Sequence, residues 1–189
     1  METEILDDNT TQKIRNIEYA SFLDRFLAAI MDSIIKMVAL GYFSYMLYTE
    51  KNVMFFIIGA VIGMLYQPIM EGIWGATLGK MIMKITMVDT DYAQIDLGQS
   101  IQKNGIWIIY GILGIMSQYW VSGTEAFQEA EGFMEIAQAG QGNPWGFVVI
   151  VWIIVILVSV FMMLGSEFKQ TLHDRLANTY CVKNSSFED

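Results

Sequence analysis

Residues 20–32 read Ala-Ser-Phe-Leu-Asp-Arg-Phe-Leu-Ala-Ala-Ile-Met-Asp, and the apolar run continues to Tyr48. This stretch can cross a bilayer as one helix, because a span needs about 20 mostly apolar residues. Arg25 stands at its start and Asp32 lies inside it. Charged groups at membrane depth are costly and are usually kept for function or packing. Residues seven apart share a helix face, about 10 Å apart along the axis, so we expect Arg25 and Asp32 to face the same neighbours.

Four apolar blocks set the predicted fold class. The chain has 189 residues, of which 54% are hydrophobic. Backbone polar groups cannot stay unpaired in lipid, and the blocks do not alternate as barrel strands would, so each block predicts a helix. The sequence therefore predicts an all-α membrane protein with four transmembrane helices arranged as two hairpins. The predicted spans are residues 24–48, 53–76, 100–121 and 145–166.

The distribution of charge predicts the orientation in the membrane. The start of the chain, the link after the second span and the C-terminal segment all carry Lys or Arg, whereas the loop at 122–144 carries four glutamates and no basic residue. By the positive-inside rule, we expect both termini in the cytoplasm. We also expect the protein to lie in the plasma (inner) membrane. Residues 1–19 are predicted as a cytoplasmic acidic tail, 20–183 as the membrane domain and 184–189 as a second cytoplasmic tail.

Shorter elements are predicted outside the spans. Residues 85–88 are strand-like, and pairing with 179–183 gives a small cytoplasmic β-ribbon. Residues 95–97 are predicted as a second short strand before the third span. In the outer loop, apolar residues recur at helical spacing and predict an external amphipathic helix at the membrane surface. These residues are Phe127, Ala130, Phe133, Met134 and Ala137.

Several function classes find no support in the sequence. The formal net charge of −9 argues against nucleic-acid binding, and the single cysteine, Cys181, rules out a disulfide within the chain. No phosphate-binding loop, dinucleotide motif, metal-ligand pair or nucleophile–base arrangement is recognisable. We therefore predict that the protein is not an enzyme and has no cofactor, no catalytic residue and no metal-binding residue.

Three charged residues and a central segment carry a family resemblance. Arg25 and Asp32, seven residues apart, are followed by Gly-Ala-Thr-Leu-Gly-Lys at 75–80 and by Asp174 in Leu-His-Asp-Arg-Leu-Ala. With these residues the chain resembles the RDD family of membrane proteins. Asn178 stands where that family usually has glycine, Lys36 adds a charge to the first span, and the 123–143 insertion is long. The resemblance implies a role in transport, since some members are reported to exchange sodium or potassium for protons.

The charged set allows two interpretations. Burial disfavours the charged form of Asp32, whereas Arg25 and Lys36 on the same face favour it, so the acid could bind a proton and Na⁺ in turn. The same pair could instead pin the first helix as a fixed structural clamp. Arg25, Asp32 and Asp174 are therefore the signature and ion-coupling candidates. The secondary candidates are Lys36, Gln67, Glu71, Lys80, Lys103 and His173, the last of which could pass protons near neutral pH or act as a hydrogen-bonding residue.

The partners expected from the sequence are the lipid bilayer, monovalent cations and protons. Four helices leave little room for an alternating pathway, and Gly59 and Gly63 form a small-residue face suited to close helix packing, within the chain or in a homodimer. The alternative function is a non-transporting scaffold or assembly partner of a larger membrane complex. Such a scaffold would dock through the acidic outer loop or the ribbon.

Overall fold

The computed structural model describes residues 17–187. Most of the predicted acidic tail and the last two residues lie outside this part. The elements in chain order are α1 (Phe22–Glu50), α2 (Val53–Trp74), α3 (Leu78–Ile82), β1 (Ile85–Val88), α4 (Leu97–Ser122), α5 (Glu125–Glu129), α6 (Phe133–Ala139), α7 (Phe147–Leu164), α8 (Leu172–Leu176) and β2 (Tyr180–Lys183). A 3₁₀ turn over Asn184–Ser186 follows.

Within residues 17–187, four helices are long and apolar enough to cross a membrane, namely α1, α2, α4 and α7. The protein is thus mostly helical with four candidate spans, as predicted. Their outward side chains are largely apolar and exposed; on α7, for example, Val149 is 53% exposed and Phe161 73%. Such surfaces are stable only against lipid or another apolar partner.

Local capping sets the helix ends and moves them by a few residues from the predicted bounds. α1 begins earlier than predicted because Ser21 and Asp24 form a capping box. It ends at Glu50, because the next residue, Lys51, adopts a left-handed backbone with φ 52°. α2 ends at Trp74 rather than residue 76, because Gly75 takes φ 72°, a conformation that glycine adopts without strain. α7 runs from Phe147 to Leu164, so it is two residues shorter at each end than the predicted span.

The predicted strand at 95–97 is wrong. Asp96 is the N-cap of α4 and accepts a hydrogen bond from the Gln99 backbone N–H, so the helix begins at Leu97. A capping carboxylate satisfies helix N–H groups that would otherwise lack partners, and this local bond competes with strand pairing. Gln94 makes only an isolated bridge with Val88.

Small residues bring α1 and α2 into close contact. A Cβ atom at Gly59 would lie 2.5 Å from Phe43 Cβ, and one at Gly63 would lie 2.8 Å from Leu40 Cδ1. Both glycines are therefore used for packing inside the chain, which was one of the two predicted uses. The homodimer prediction accordingly loses the small-residue face as its support.

A two-stranded antiparallel sheet joins the segment after α2 to the segment after α7. β1 and β2 pair with Ile85 opposite Lys183 and Val88 opposite Tyr180. The side chains of Ile85 and Met87 on β1 and of Cys181 on β2 are fully buried and form one apolar cluster with Ala20 and Ala28. This sheet lies at the end of the helix bundle where α1 begins, which we call the charged end.

The loop after α4 forms two short helices, α5 and α6, and not the single amphipathic helix that was predicted. Phe127 is fully buried against Leu47 and Val121 at the opposite end of the bundle, which we call the Phe127 end. Lys51 Nζ donates to the carbonyl oxygens of Phe127 (3.0 Å) and Ala130 (2.8 Å). Of the apolar residues whose spacing predicted a helix at the membrane surface, Phe127 packs onto the bundle instead, whereas Met134 is 68% exposed.

Candidate functional site

The first ion pair of the charged end joins α1 to α8. Arg25 lies in the first turn of α1, and its Nη1 donates to Asp174 Oδ2 at 2.5 Å. Asp174 is fixed by a capping box with Thr171 at the start of α8 and is almost fully buried. Although burial would raise the pKa of the Asp174 carboxyl, the Arg25 guanidinium holds it well below its usual range. Asp174 therefore stays ionised while the pair is closed.

Asp32 has a different set of partners. Its Oδ1 accepts from Tyr66 Oη at 2.7 Å and from the Gly79 backbone N–H at 2.8 Å, and its Oδ2 accepts from Thr77 Oγ1 at 2.6 Å. Thr77 and Gly79 belong to the start of α3, so the carboxylate ties α1 to α3. A Cβ at Gly79 would lie 2.1 Å from the Ala28 carbonyl oxygen, so only glycine allows this approach.

Glu71 holds together the third group of charges. It is fully buried on α2 and forms ion pairs with Lys80 and with Lys103, the latter at 2.8 Å. Asn104 Nδ2 also donates to it at 3.1 Å and Gln67 Nε2 at 3.2 Å. Although burial alone would lower the pKa of Lys80, the Glu71 carboxylate raises it above its ordinary value, so this lysine is charged.

These groups surround one polar cavity of about 290 Å³ at the charged end. Its lining includes eight of the nine candidate residues: Arg25, Asp32, Lys36, Gln67, Lys80, Lys103, His173 and Asp174. Glu71, the ninth, lies behind Lys80 and Lys103, with which it is paired. The tertiary structure thus brings together residues from α1, α2, α4 and α8 that are far apart in the sequence.

Two expectations about this site differ from what the structure shows. Arg25 and Asp32 do line one cavity, but their hydrogen-bond partners are separate, since Arg25 binds Asp174 and Asp32 binds α2 and α3 side chains and backbone. Lys36 lines the cavity, yet within residues 17–187 no ion pair joins it to Asp32. Sharing a helix face did not determine which groups pair, because the partners come from other elements.

His173 is neutral at physiological pH. Burial lowers the pKa of its imidazole to about 4, and its ring packs against the Trp107 ring with centroids 6.3 Å apart. This value lies outside the near-neutral range that motivated the proton-relay hypothesis. In this conformation His173 is a packing residue of the cavity wall.

Sequence reasoning missed Tyr66, Thr77 and Asn104 as individual site residues. Each donates a hydrogen bond to a buried carboxylate. Thr77 lies in the 75–80 signature and could have been found from its match with Thr171, since both cap a five-residue helix before a strand. Tyr66 gives no such signal, because a tyrosine in an apolar helix has many roles.

Comparison with known proteins tests the family resemblance. The RDD family sequence model matches residues 19–178. No curated protein and no solved structure matches the chain significantly. The match covers most of the chain, including all four candidate spans and the residues around the polar cavity. The chain therefore belongs to the RDD family, and it is a membrane protein of that family by its apolar helices.

Proposed function

We propose that this protein is a small multi-pass transporter of the plasma membrane that couples movement of a monovalent cation, Na⁺ or K⁺, to movement of protons. Both termini would lie in the cytoplasm, so the charged end would open to the cytoplasmic side. The observation that carries the proposal is the polar cavity of about 290 Å³, in which Asp32 and Asp174 lie among basic groups within a helical membrane protein. Ionisable residues at membrane depth most often serve such pathways.

Asp174 is better placed than Asp32 to exchange a cation for a proton. Asp32 accepts three hydrogen bonds that use both of its oxygens. Asp174 Oδ1, by contrast, is buried and has no hydrogen-bond partner within residues 17–187. Proton uptake there requires Arg25 to move away, because the guanidinium keeps the carboxyl ionised while the pair is closed. We propose opening of the Arg25–Asp174 pair as the coupling step.

Flux of Na⁺, K⁺ and H⁺ into proteoliposomes tests the proposal. Wild-type protein should move a cation against a proton gradient, and Asp174→Asn should abolish the exchange while the protein still folds. Asp91→Asn, at an exposed turn, is the matched control and should leave flux unchanged. Absence of flux of all three ions through correctly folded wild-type protein contradicts the transport proposal.

A second candidate function is a non-transporting scaffold of a larger membrane complex. The saturated hydrogen bonding of Asp32, together with a Glu71 carboxylate that holds two lysines, favours it because both act as fixed clamps between helices. Under this alternative, one membrane protein should co-purify at a fixed stoichiometry. Whichever function holds, we propose self-association or a partner at the exposed apolar helix faces, since four helices enclose little space.

A further inference from the structure

An apolar groove adjoins the polar cavity. The groove has a volume of about 240 Å³ and lies between α1, α4 and α7, with Phe22, Phe26, Ile106, Trp152 and Met163 among its walls. Five residues line both spaces: Arg25, Ala29, Trp107, Thr171 and His173. A charged space beside an apolar one suits an amphiphile, with its head in the first and its tail in the second.

Arg25, which lines both spaces, has two side-chain nitrogens without partners in the described part of the chain. Its Nη1 binds Asp174, but Nε and Nη2 are buried and have no hydrogen-bond partner within residues 17–187. Both nitrogens are closed off from solvent, so a ligand reaches them only by displacing neighbouring side chains. Buried donors without partners are costly, so a ligand that satisfies them is stabilised. Nε and Nη2 form one edge of the planar guanidinium, and this edge matches two oxygens of a phosphate.

While the Arg25–Asp174 pair is closed, the charges around the cavity favour an anion over a cation. The cation of the proposed transport step would enter only when that pair opens. Four basic residues, Arg25, Lys36, Lys80 and Lys103, line it, against the carboxylates of Asp32 and Asp174. Counting Glu71, which binds two of the lysines, three carboxylates face four cations and one positive charge remains. A phosphodiester carries one negative charge and neutralises this excess, whereas a bound Na⁺ would double it.

A polar group also lies inside the groove. Ser159 on α7 is 5% exposed, lines the groove, and its Oγ has no hydrogen-bond partner within the described part of the chain. A hydroxyl in an otherwise apolar space costs free energy unless it is paired. The ester oxygens of a diacyl lipid lie between head and tail and can accept that hydrogen bond.

We propose that this site binds an anionic glycerophospholipid, with its phosphate at the Nε–Nη2 edge of Arg25 and one acyl chain in the groove between α1, α4 and α7. Arg25 lies in the first turn of a candidate span, which is the depth at which lipid headgroups are found. The site goes beyond ion transport and does not depend on it.

Native mass spectrometry of the delipidated full-length protein tests the proposal. Phosphatidylglycerol should bind with one-to-one stoichiometry and at least about tenfold more tightly than phosphatidylcholine with the same acyl chains, because only the former neutralises the excess charge. Val160→Trp, which fills the groove, should weaken phosphatidylglycerol binding about tenfold. Val151→Trp, on the opposite and exposed face of the same helix, is the matched control and should bind as the wild type does.

Arg25→Lys keeps the charge but removes the forked edge, so it should also weaken binding about tenfold. If this variant fails to fold, the two tryptophan variants still decide the outcome. Equal affinity for both lipids, or unaltered binding by Val160→Trp, overturns the proposal. Inorganic phosphate separates the possible sources of the anion: displacement of the lipid by millimolar phosphate would show a free-anion site and would also overturn it. Lipid binding is read without flux, so failure of the transport proposal leaves this test intact.

Discussion

The two ends of the helix bundle are held together by different forces. At the charged end, the buried residues Glu71, Lys103 and Asp174 and the half-buried Arg25 are paired across four elements. At the Phe127 end, Phe127 packs on an apolar cluster, and Lys51 caps two backbone carbonyls. Apolar packing is tolerant of sequence change, whereas buried ion pairs demand particular partners. The charged end therefore depends on particular side chains, whereas the Phe127 end depends on apolar packing.

Breaking the Glu71 network should have the largest effect. Glu71→Gln leaves the buried Lys103 and the half-buried Lys80 without a carboxylate, and removal of one partner from a buried ion pair typically costs about 3–5 kcal/mol. Unfolding in mild detergent measures the loss. Glu129→Gln, an exposed glutamate near the Phe127 end, is the control and should change stability little. A loss below about 1 kcal/mol for Glu71→Gln would mean that the lysines find water or other partners.

The Phe127 end should respond to loss of volume. Phe127→Ala removes a fully buried ring from the cluster with Leu47 and Val121 and should destabilise the protein by about 3 kcal/mol. Unlike Glu71→Gln, it should leave ion flux and phosphatidylglycerol binding per folded molecule unchanged. A specific loss of either activity would show that the two ends are coupled.

Asp32→Asn tests whether this carboxylate is a clamp. The asparagine NH₂ group replaces one of the two accepting oxygens and cannot accept a hydrogen bond, so the donors Tyr66, Thr77 and Gly79 cannot all be satisfied. Stability should therefore fall by about 1–3 kcal/mol. Tyr66→Phe removes only one of these bonds and should cost about 1 kcal/mol. If Asp32→Asn left stability unchanged but removed flux, Asp32 would be the ion-coupling group in place of Asp174.

The last prediction concerns the pH dependence of stability. Native His173 binds its proton only below about pH 4, whereas an unfolded histidine does so below about 6.5. Protons therefore favour the unfolded state, and stability should decline as the pH falls from about 6.5 to about 4. His173→Gln should flatten that part of the curve, and His173 is the only histidine in the chain. The Asp174 carboxyl has a lowered pKa, so the stability that it contributes is lost only when the pH falls below about 4.

The extent of prediction from sequence followed the range of the interactions involved. The four spans were predictable because each depends on a continuous local run of apolar residues. Their ends moved by only a few residues, and at the starts of α1 and α4 the caps Ser21 and Asp96 account for the change. The predicted single outer helix was wrong because its spacing could not distinguish lipid contact from the packing of Phe127 onto Leu47. Likewise, helix periodicity placed Arg25 and Asp32 on one face but could not reveal their partners.

By itself, the sequence determined that the chain is a membrane protein of the RDD family with four candidate spans. It also showed that only a few charged residues, such as Arg25 and Asp32, lie in those spans. Only the tertiary structure decided that Arg25 pairs with Asp174, that Asp32 binds the start of α3, and that one positive charge remains over the cavity. Hydrophobicity acts through composition and can be read along the chain. Ion pairs and cavities depend on which distant residues meet, and that is set by the packing of helices against one another.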